Sequence, residues 1–348
     1  MPRQLSLHET ARPRQKRFTD PLVVDVVDLF CGIGGTSAGA RWAGHRVRLA
    51  VETEQSRLAV HAKNHPECQH LSMDLPSDKL LDYLPQPNTL WHLHGSPPCQ
   101  NLSLANGGNV REKEEKAERT EVGLDLVCWF LDLVNHAKPA TWSMEQVNHP
   151  EVLAELDGRG LHYVVCKMEQ WGLPQCRCRV IAGSEHLIRR FEGLREPTRL
   201  VAVRDVLHLP VPGARLKGSC ATYSKKSKPG SNESRVVPLI KRSRPATRPS
   251  LTVIGVGHTL VWCDSEGHSV RQLTPAENGV LQGFPPNYIL FQTKKDSNIA
   301  IGDAFPPFIA KKLLSNYRLP LNLYPDNPAP AVFPKQPWFR PESPSLAL

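Results

Sequence analysis

Apolar positions along the chain fall into two patterns. Short β-branched runs close on polar or glycine-containing turns, and longer stretches repeat apolar residues every three or four positions. The first run, Leu22 through Phe30, is nearly continuous, the signature of a strand covered on both faces near the centre of a sheet. Val47–Val51, Thr89–Leu93, Tyr163–Cys166 and Arg179–Gly183 predict further strands, as do a short run before Asp74 and the stretch from Pro139 into Glu145. A helix over Gln55–Asn64 is closed by His65-Pro66, because proline cannot continue it. A second helix, Glu121–Ala137, carries Val122, Leu126, Phe130 and Val134 on one face, an apolar stripe assigned to the core. Near the carboxyl end, Thr274, Pro275 and Glu277 occupy the N-cap, first-turn and capping-box positions of another helix, and a last helix is predicted over Phe308–Asn316. Strands alternating with helices predict an α/β fold, a doubly wound Rossmann-like sheet.

The pattern weakens from about Ser184. Residues 210–250 are rich in Pro, Ser, Gly and cations, and read either as a loop-rich basic second lobe or as a disordered insertion. The expected divisions are therefore a basic disordered arm (1–20), a sheet domain (21–183), a smaller loop-rich lobe (184–270), helices returning to the first domain (271–320) and a Pro-rich tail (321–348).

Charge adds one constraint: 43 Lys and Arg against 34 Asp and Glu leave +9, which favours a polyanionic partner but by itself licenses only non-specific attraction. Arg12-Pro13-Arg14-Gln15-Lys16-Arg17 is either a solvated tail or a nuclear-targeting or nucleic-acid-contacting arm. Nine scattered cysteines without C-x-x-C argue against a zinc site or disulfide framework and for a reducing compartment; no metal is expected. No stretch reaches the roughly 18 apolar residues of a membrane span, and residues 1–20 lack the apolar core of a leader, so an intracellular protein without membrane contact is expected.

Candidate chemistry collects at the strand ends. The first strand runs into Cys31-Gly32-Ile33-Gly34-Gly35-Thr36-Ser37-Ala38-Gly39, a turn opening a helix, where glycines admit a ligand to the backbone and the helix start offers free N–H groups. The pattern G-x-G-x-x-G fails at Ser37, leaving a nucleoside-type site. Glu52, twenty residues past Gly32, stands where such sites bind ribose hydroxyls. Asp74 follows another strand and is either a ligand to the same group or a solvated loop acid. Thr89–Leu93 leads into His94-Gly95-Ser96-Pro97-Pro98-Cys99-Gln100-Asn101-Leu102-Ser103, where two prolines stiffen the turn before the thiol. A buried structural role for Cys99 is the alternative to a reactive one. Beyond it, Asn106-Gly107-Gly108-Asn109 and the charge run Arg111–Arg119 suit either a solvated face or a mobile lid. If Arg177 and Arg179 lie on a strand they share a face, and both then need anionic or carbonyl partners.

Assembled, these stretches resemble the cytosine-C5 DNA methyltransferases. The likeness spans roughly residues 24–316 in family order: Asp28–Gly35, Glu52, Ser96-Pro97-Pro98-Cys99-Gln100, Glu145-Gln146-Val147, Gln175–Arg179, Leu273–Pro285 and Gly302–Pro307. One such motif arises by chance; six in the right order, with the acid Glu52 among them, are specific. The resemblance implies S-adenosyl-L-methionine held by Phe30, Cys31, Gly32, Ile33, Gly34, Gly35, Glu52, Asp74, Pro97 and Asp303. Phe30 would lie beside the adenine, the glycines near the methionine end, Glu52 on the ribose and Asp74 toward the adenine amine. It also implies a flipped cytosine attacked at C6 by Cys99, with Glu145 at N3 and N4, Arg177 at O2, Arg179 as support, and Gln100 and Ser103 contacting the substrate.

The implied partner is double-stranded DNA, gripped by a target-recognition lobe over 184–270. An RNA-directed relative of the same fold and a weakly active or non-catalytic DNA-binding accessory protein are the alternatives. A monomer is expected, in the nucleus if the organism is eukaryotic and otherwise in the cytoplasm or nucleoid. Two positions depart from the family pattern: Gln146 and Asp303 both stand where asparagine is usual. The first lengthens an amide arm beside the Cys99 turn; the second replaces a donor with an acceptor. Both allow weakened or context-dependent activity.

Overall fold

The computed structural model describes residues 23–98, 112–218, 243–255 and 260–315, without the side chains of 112–123. Cys99, Gln100 and Ser103, the amino-terminal arm, the Pro-rich tail and most of the cationic stretch over 219–242 lie outside the described residues. Seven strands form the main sheet: β1 (Asp25–Leu29), β2 (Arg46–Glu52), β3 (Gln69–Ser72), β4 (Trp91–Gly95), β5 (Thr141–Val147), β6 (His162–Lys167) and β7 (Cys178–Gly183). Their order is β3-β2-β1-β4-β5-β7-β6; β1 to β5 run parallel and β7 is antiparallel to both neighbours. The chain therefore winds outward from β1 in one direction and then from β4 in the other. The crevice at this reversal, outside the strands' carboxyl ends, is where open sheets of this kind bind ligands.

Burial follows from alternation along the strands. Val27 and Leu29 of β1, with Trp91 and Leu93 of β4, face α3 (Glu112–Ala137), where Trp129, Phe130 and Leu133 are buried. Val26 and its neighbours Val47 and Ala50 face α8 (Pro307–Leu314) through Ile309, Ala310 and Leu313. The other helices are α1 (Gly35–Trp42), α2 (Gln55–Asn64), α4 (Pro150–Gly158), α5 (Glu185–Glu192), α6 (Pro275–Gln282) and α7 (Lys294–Asp303). α5 buries Leu187, Ile188 and Phe191 in the same layer as α8, so packing on the main sheet continues past the composition change at Ser184. A smaller sheet, order β11-β10-β8-β9, follows: β8 (Arg215–Gly218), β9 (Arg244–Pro245), β10 (Leu260–Cys263) and β11 (Ser269–Gln272). Its core of Leu216, Trp262 and Leu273 continues through Leu281 and Ile301 to Ile33 of the first turn. No described helix is long and apolar enough to cross a membrane.

Two helices differ from expectation. The charge run from Glu112 onward is helical backbone, so α3 begins nine residues before the predicted start; residues 106–109 lie outside the described residues. The stretch contains strong helix formers, no glycine or proline, and opposite charges four apart at Glu112/Lys116 and Glu115/Arg119. α7 was not foreseen, because it buries Ser297, Asn298, Ala300 and Gly302 with Ile301 and so lacks an apolar stripe; Thr293 caps it by accepting from the Asp296 N–H.

The predicted capping box of α6 is present. The Thr274 hydroxyl accepts from the Glu277 N–H at 3.2 Å, and Glu277 accepts from the Thr274 N–H at 2.8 Å. Glu277 also receives the Trp262 indole N–H and the Arg271 guanidinium, which hold its carboxyl down at about 2 despite partial burial. Thr274→Ala is expected to lower the unfolding free energy by about 1 kcal/mol, read from the urea midpoint, while Thr274→Ser retains the cap.

Candidate active site

A cavity of about 310 Å³ opens at the reversal point of the sheet. β1 contributes Phe30, Cys31 and Gly32; β2 contributes Glu52; Asp74 follows β3; Ser96, Pro97 and Pro98 follow β4; and Glu145 comes from β5. Asp303, Ala304 and Phe305, between α7 and α8, close it from above. Glycine is required in the β1–α1 turn by close approach as well as by conformation. Gly34 has φ 98°, and a Cβ there would stand 2.7 Å from His65 Nε2 and 2.8 Å from the Tyr288 hydroxyl. A Cβ at Gly35 would run into the Phe305 carbonyl oxygen. Ile33 is buried in the core with Leu281 and Ile301; neither it nor Gly34 lines the cavity.

Glu52 spans two turns: its carboxylate accepts the Gly32 N–H at 2.9 Å and the Glu54 N–H at 3.0 Å. These contacts fix a pair of acceptor oxygens on the cavity wall, to which the two hydroxyls of a vicinal diol could donate. Cys31 also lines the wall, but burial pushes its thiol well above the usual range. Behind the turn, Asp28 is buried and accepts from the Ser37 hydroxyl at 2.7 Å; His61 Nε2 lies 3.0 Å from the same hydroxyl. Burial pushes the Asp28 carboxyl up to about 7, against the lowering effect of the Ser37 hydrogen bond.

Glu145 is 6% exposed. Its Oε1 lies 3.1 Å from Arg179 Nε, on the same side of the sheet. The contact is an ion pair off the N–H axis, and among the described residues Oε1 has no hydrogen bond. Arg177 diverges from this pair. β7 starts at Cys178, so strand alternation does not reach Arg177, and the expectation of a shared face is not met. Its guanidinium donates to the Val253 carbonyl at 3.1 Å and the Gly302 carbonyl at 3.0 Å.

The two departures from the family pattern are each accommodated. Gln146 Nε2 donates to the Pro97 carbonyl at 3.1 Å and its Oε1 accepts the Val147 N–H at 2.8 Å, so the longer amide still grips the turn that precedes Cys99. Asp303 pairs with Arg57 Nη2 at 3.0 Å, and Arg57 also meets Glu54. Arg57 and Leu126 were missed as cavity residues. Arg57 is one turn past Glu54 on α2, a polar position facing the end of β2, and Leu126 was assigned to the core alone.

A family model described as C-5 cytosine-specific DNA methylase matches residues 24–186. The type II methyltransferase M.HindV of Haemophilus influenzae is 27% identical over 318 residues, covering 83% of this chain and 94% of the relative. The type II methyltransferase M.HgiGI of Herpetosiphon aurantiacus is 30% identical over 125 residues, 35% of this chain and 88% of the relative. Among solved structures, a chain described as a DNA modification methyltransferase encoded within an E. coli prophage superposes with a TM-score of 0.54 at 20% identity. That match covers 84% of this chain and 98% of the other, and supports the fold alone.

The raised carboxyl of Asp28 has a measurable sign. Its stabilising effect is fully present below the ordinary value of 3.8 and is lost as pH rises through about 7, because the folded state keeps a proton that the unfolded chain has released. Wild-type stability relative to Asp28→Asn is therefore expected to fall by up to about 1.4 kcal/mol per pH unit across that window and to level off above it. Chemical denaturation of both proteins from pH 4 to 8 checks this; a constant difference excludes it.

Proposed function

The chain belongs to the C-5 cytosine-specific DNA methylase family, and on that premise we propose that it transfers a methyl group from S-adenosylmethionine to C5 of a cytosine flipped out of duplex DNA, through a covalent bond from Cys99 to C6. The observation that carries this reading is the buried Glu145 carboxylate, paired with Arg179 at the wall of a cavity that also contains Glu52 and Pro98, the residue before Cys99.

The cavity fits the cofactor on the hydrogen-bond acceptors it presents. Glu52 offers two fixed oxygens to the ribose hydroxyls, Asp74 is an acceptor for the adenine amine, Phe30 is an apolar wall, and Gly32 and Gly35 leave the backbone open. When bound, the cofactor supplies an electrophilic methyl on a sulfonium. The protein's task is to make C5 nucleophilic. The Cys99 thiolate forms a bond to C6, and the electron pair of the C5–C6 double bond moves into the ring toward N3 and O2. Glu145 shares a proton with N3, and its Oε1, without a hydrogen bond among the described residues, accepts from the N4 amine. The geometry supports giving the O2 role to Arg179, because its guanidinium is the one beside Glu145, and giving Arg177 the task of joining β7 to the segments around Val253 and Gly302. After transfer, a base takes the C5 proton, and the C5–H electron pair re-forms the C5–C6 double bond as the Cys99 sulfur departs as thiolate. Duplex DNA as substrate is supported by the type II methyltransferases among the relatives and by the +9 charge.

With tritiated cofactor, wild type is expected to label duplex DNA and to form an adduct on 5-fluorocytosine DNA. Cys99→Ala is expected to do neither while retaining cofactor affinity. Glu145→Gln is expected to lower transfer by about 10²–10⁴-fold, and Arg179→Ala by about 10²–10³-fold. Label entering tRNA alone would move the substrate to RNA; transfer by Cys99→Ala would remove the thiol from the mechanism.

A further inference from the structure

β4 and β5 are central parallel strands, where an uninterrupted apolar composition is usual. One face of each obeys that rule: Trp91 and Leu93 on β4, Trp142 and Met144 on β5. The opposite face carries His92 and His94 beside Thr141 and Ser143, all fully or almost fully buried. The register pairs His92 with Thr141 and His94 with Ser143, so the four side chains interleave. His92 Nδ1 lies 2.8 Å from the Thr141 hydroxyl and His92 Nε2 lies 2.9 Å from that of Ser143. From Ser143, 2.8 Å leads to His94 Nδ1, and 3.0 Å leads from His94 Nε2 to the Ser96 hydroxyl. The row ends at the turn before Cys99, where Ser96 lines the cavity and its N–H donates to the Leu29 carbonyl.

Burial holds both imidazoles neutral at ordinary pH; it lowers His94 to about 3 and His92 well below its usual value. A neutral imidazole has one N–H donor and one acceptor nitrogen, so fixing either contact of a ring fixes the other. Three arrangements satisfy the whole row, because Ser143 has one proton to donate and two lone pairs to accept with. In one, Thr141 donates to His92, His92 to Ser143, Ser143 to His94 and His94 to Ser96. In the second, every bond is reversed; in the third, both rings donate to Ser143 while Thr141 and Ser96 donate to the outer nitrogens. Both rings accepting from Ser143 is excluded, so a ring that takes the Ser143 proton forces the other ring to donate. The plane of His94 is set independently by stacking on Phe305, 5.5 Å between centroids and 11° between planes, which aims Nε2 at Ser96.

Apolar residues of similar size would fill this space at least as stably, because a buried polar network gains little net energy over good packing. What the network adds is direction and rigidity at its end. We infer that Thr141, His92, Ser143, His94 and Ser96 form one hydrogen-bonded wire of coupled tautomers that positions the thiol-bearing turn from below, as Gln146 does from the side. The five act as positioning residues for the methyl transfer proposed above, and the inference rests on that reading.

The test uses the full-length chain. In protein labelled with ¹⁵N-histidine, long-range ¹H–¹⁵N spectra show which ring nitrogen carries the proton. Thr141→Val removes the hydroxyl beside His92 and is expected to shift the His94 ring nitrogens as well; unmoved His94 signals overturn the coupling. Ser143→Ala is expected to leave S-adenosylhomocysteine affinity within about twofold; it and Ser96→Ala are each expected to slow single-turnover transfer by about tenfold or more, with Ser96→Thr regaining most of the rate. An unchanged rate, or a loss that Ser96→Thr does not recover, overturns the positioning role. Thermal unfolding accompanies each variant, and if Ser143→Ala fails to fold, the half-buried Ser96 pair carries the comparison. If wild type transfers no methyl group, the proposed function fails separately. Positioning is then read from iodoacetamide alkylation of Cys99 mapped by mass spectrometry, expected to be about fivefold faster in both alanine variants; equal rates overturn it.

Discussion

The contact on which the site depends is backbone against backbone. Where α1 begins, Gly35 lies so close to the Phe305 carbonyl that no side chain fits between them, and Gly34 is similarly confined by His65 and Tyr288. Residues 270 positions apart are thereby brought to one edge of the sheet, and the cavity is the space left over. Phe305 then serves three surfaces at once: it closes the cavity, abuts the first turn, and supports the His94 ring beneath the thiol-bearing turn.

Around that contact, several buried or half-buried charged groups are each matched, among the described residues, to a partner of suitable kind. Arg179 has a carboxylate, Arg177 has two carbonyls, Asp303 has Arg57, and Glu52 has two backbone N–H groups. Such matching is what low-dielectric surroundings demand. At Glu145 Oε1 the matching is partial among the described residues: the oxygen has its ion pair with Arg179 but no hydrogen bond.

Much of this was legible in the chain. The continuous apolar run before Gly32 marked a central strand, α2 was bounded by proline, and the capping box at Thr274 is present atom for atom. The acids at Glu52 and Asp74 were found because strand ends have a recognisable polar turn; Glu145 was singled out by the family resemblance and lies inside β5, which continues to Val147. What escaped did so for physical reasons. α7 buries small and polar residues, so its periodicity is silent. The charge run over 112–119 reads as solvated because helix propensity leaves no apolar mark. The division of labour between Arg177 and Arg179 depends on where β7 begins, a boundary one residue wide that no pattern of period two can resolve.

The two carbonyls that receive Arg177 belong to Val253 and Gly302, 76 and 125 residues further along. A fragment ending after the seventh strand would lack both acceptors together with the segments that carry them. Loss of partners for a buried cation is costly, so the sheet that holds most of the recognisable motifs is completed by residues that lie beyond it in the chain.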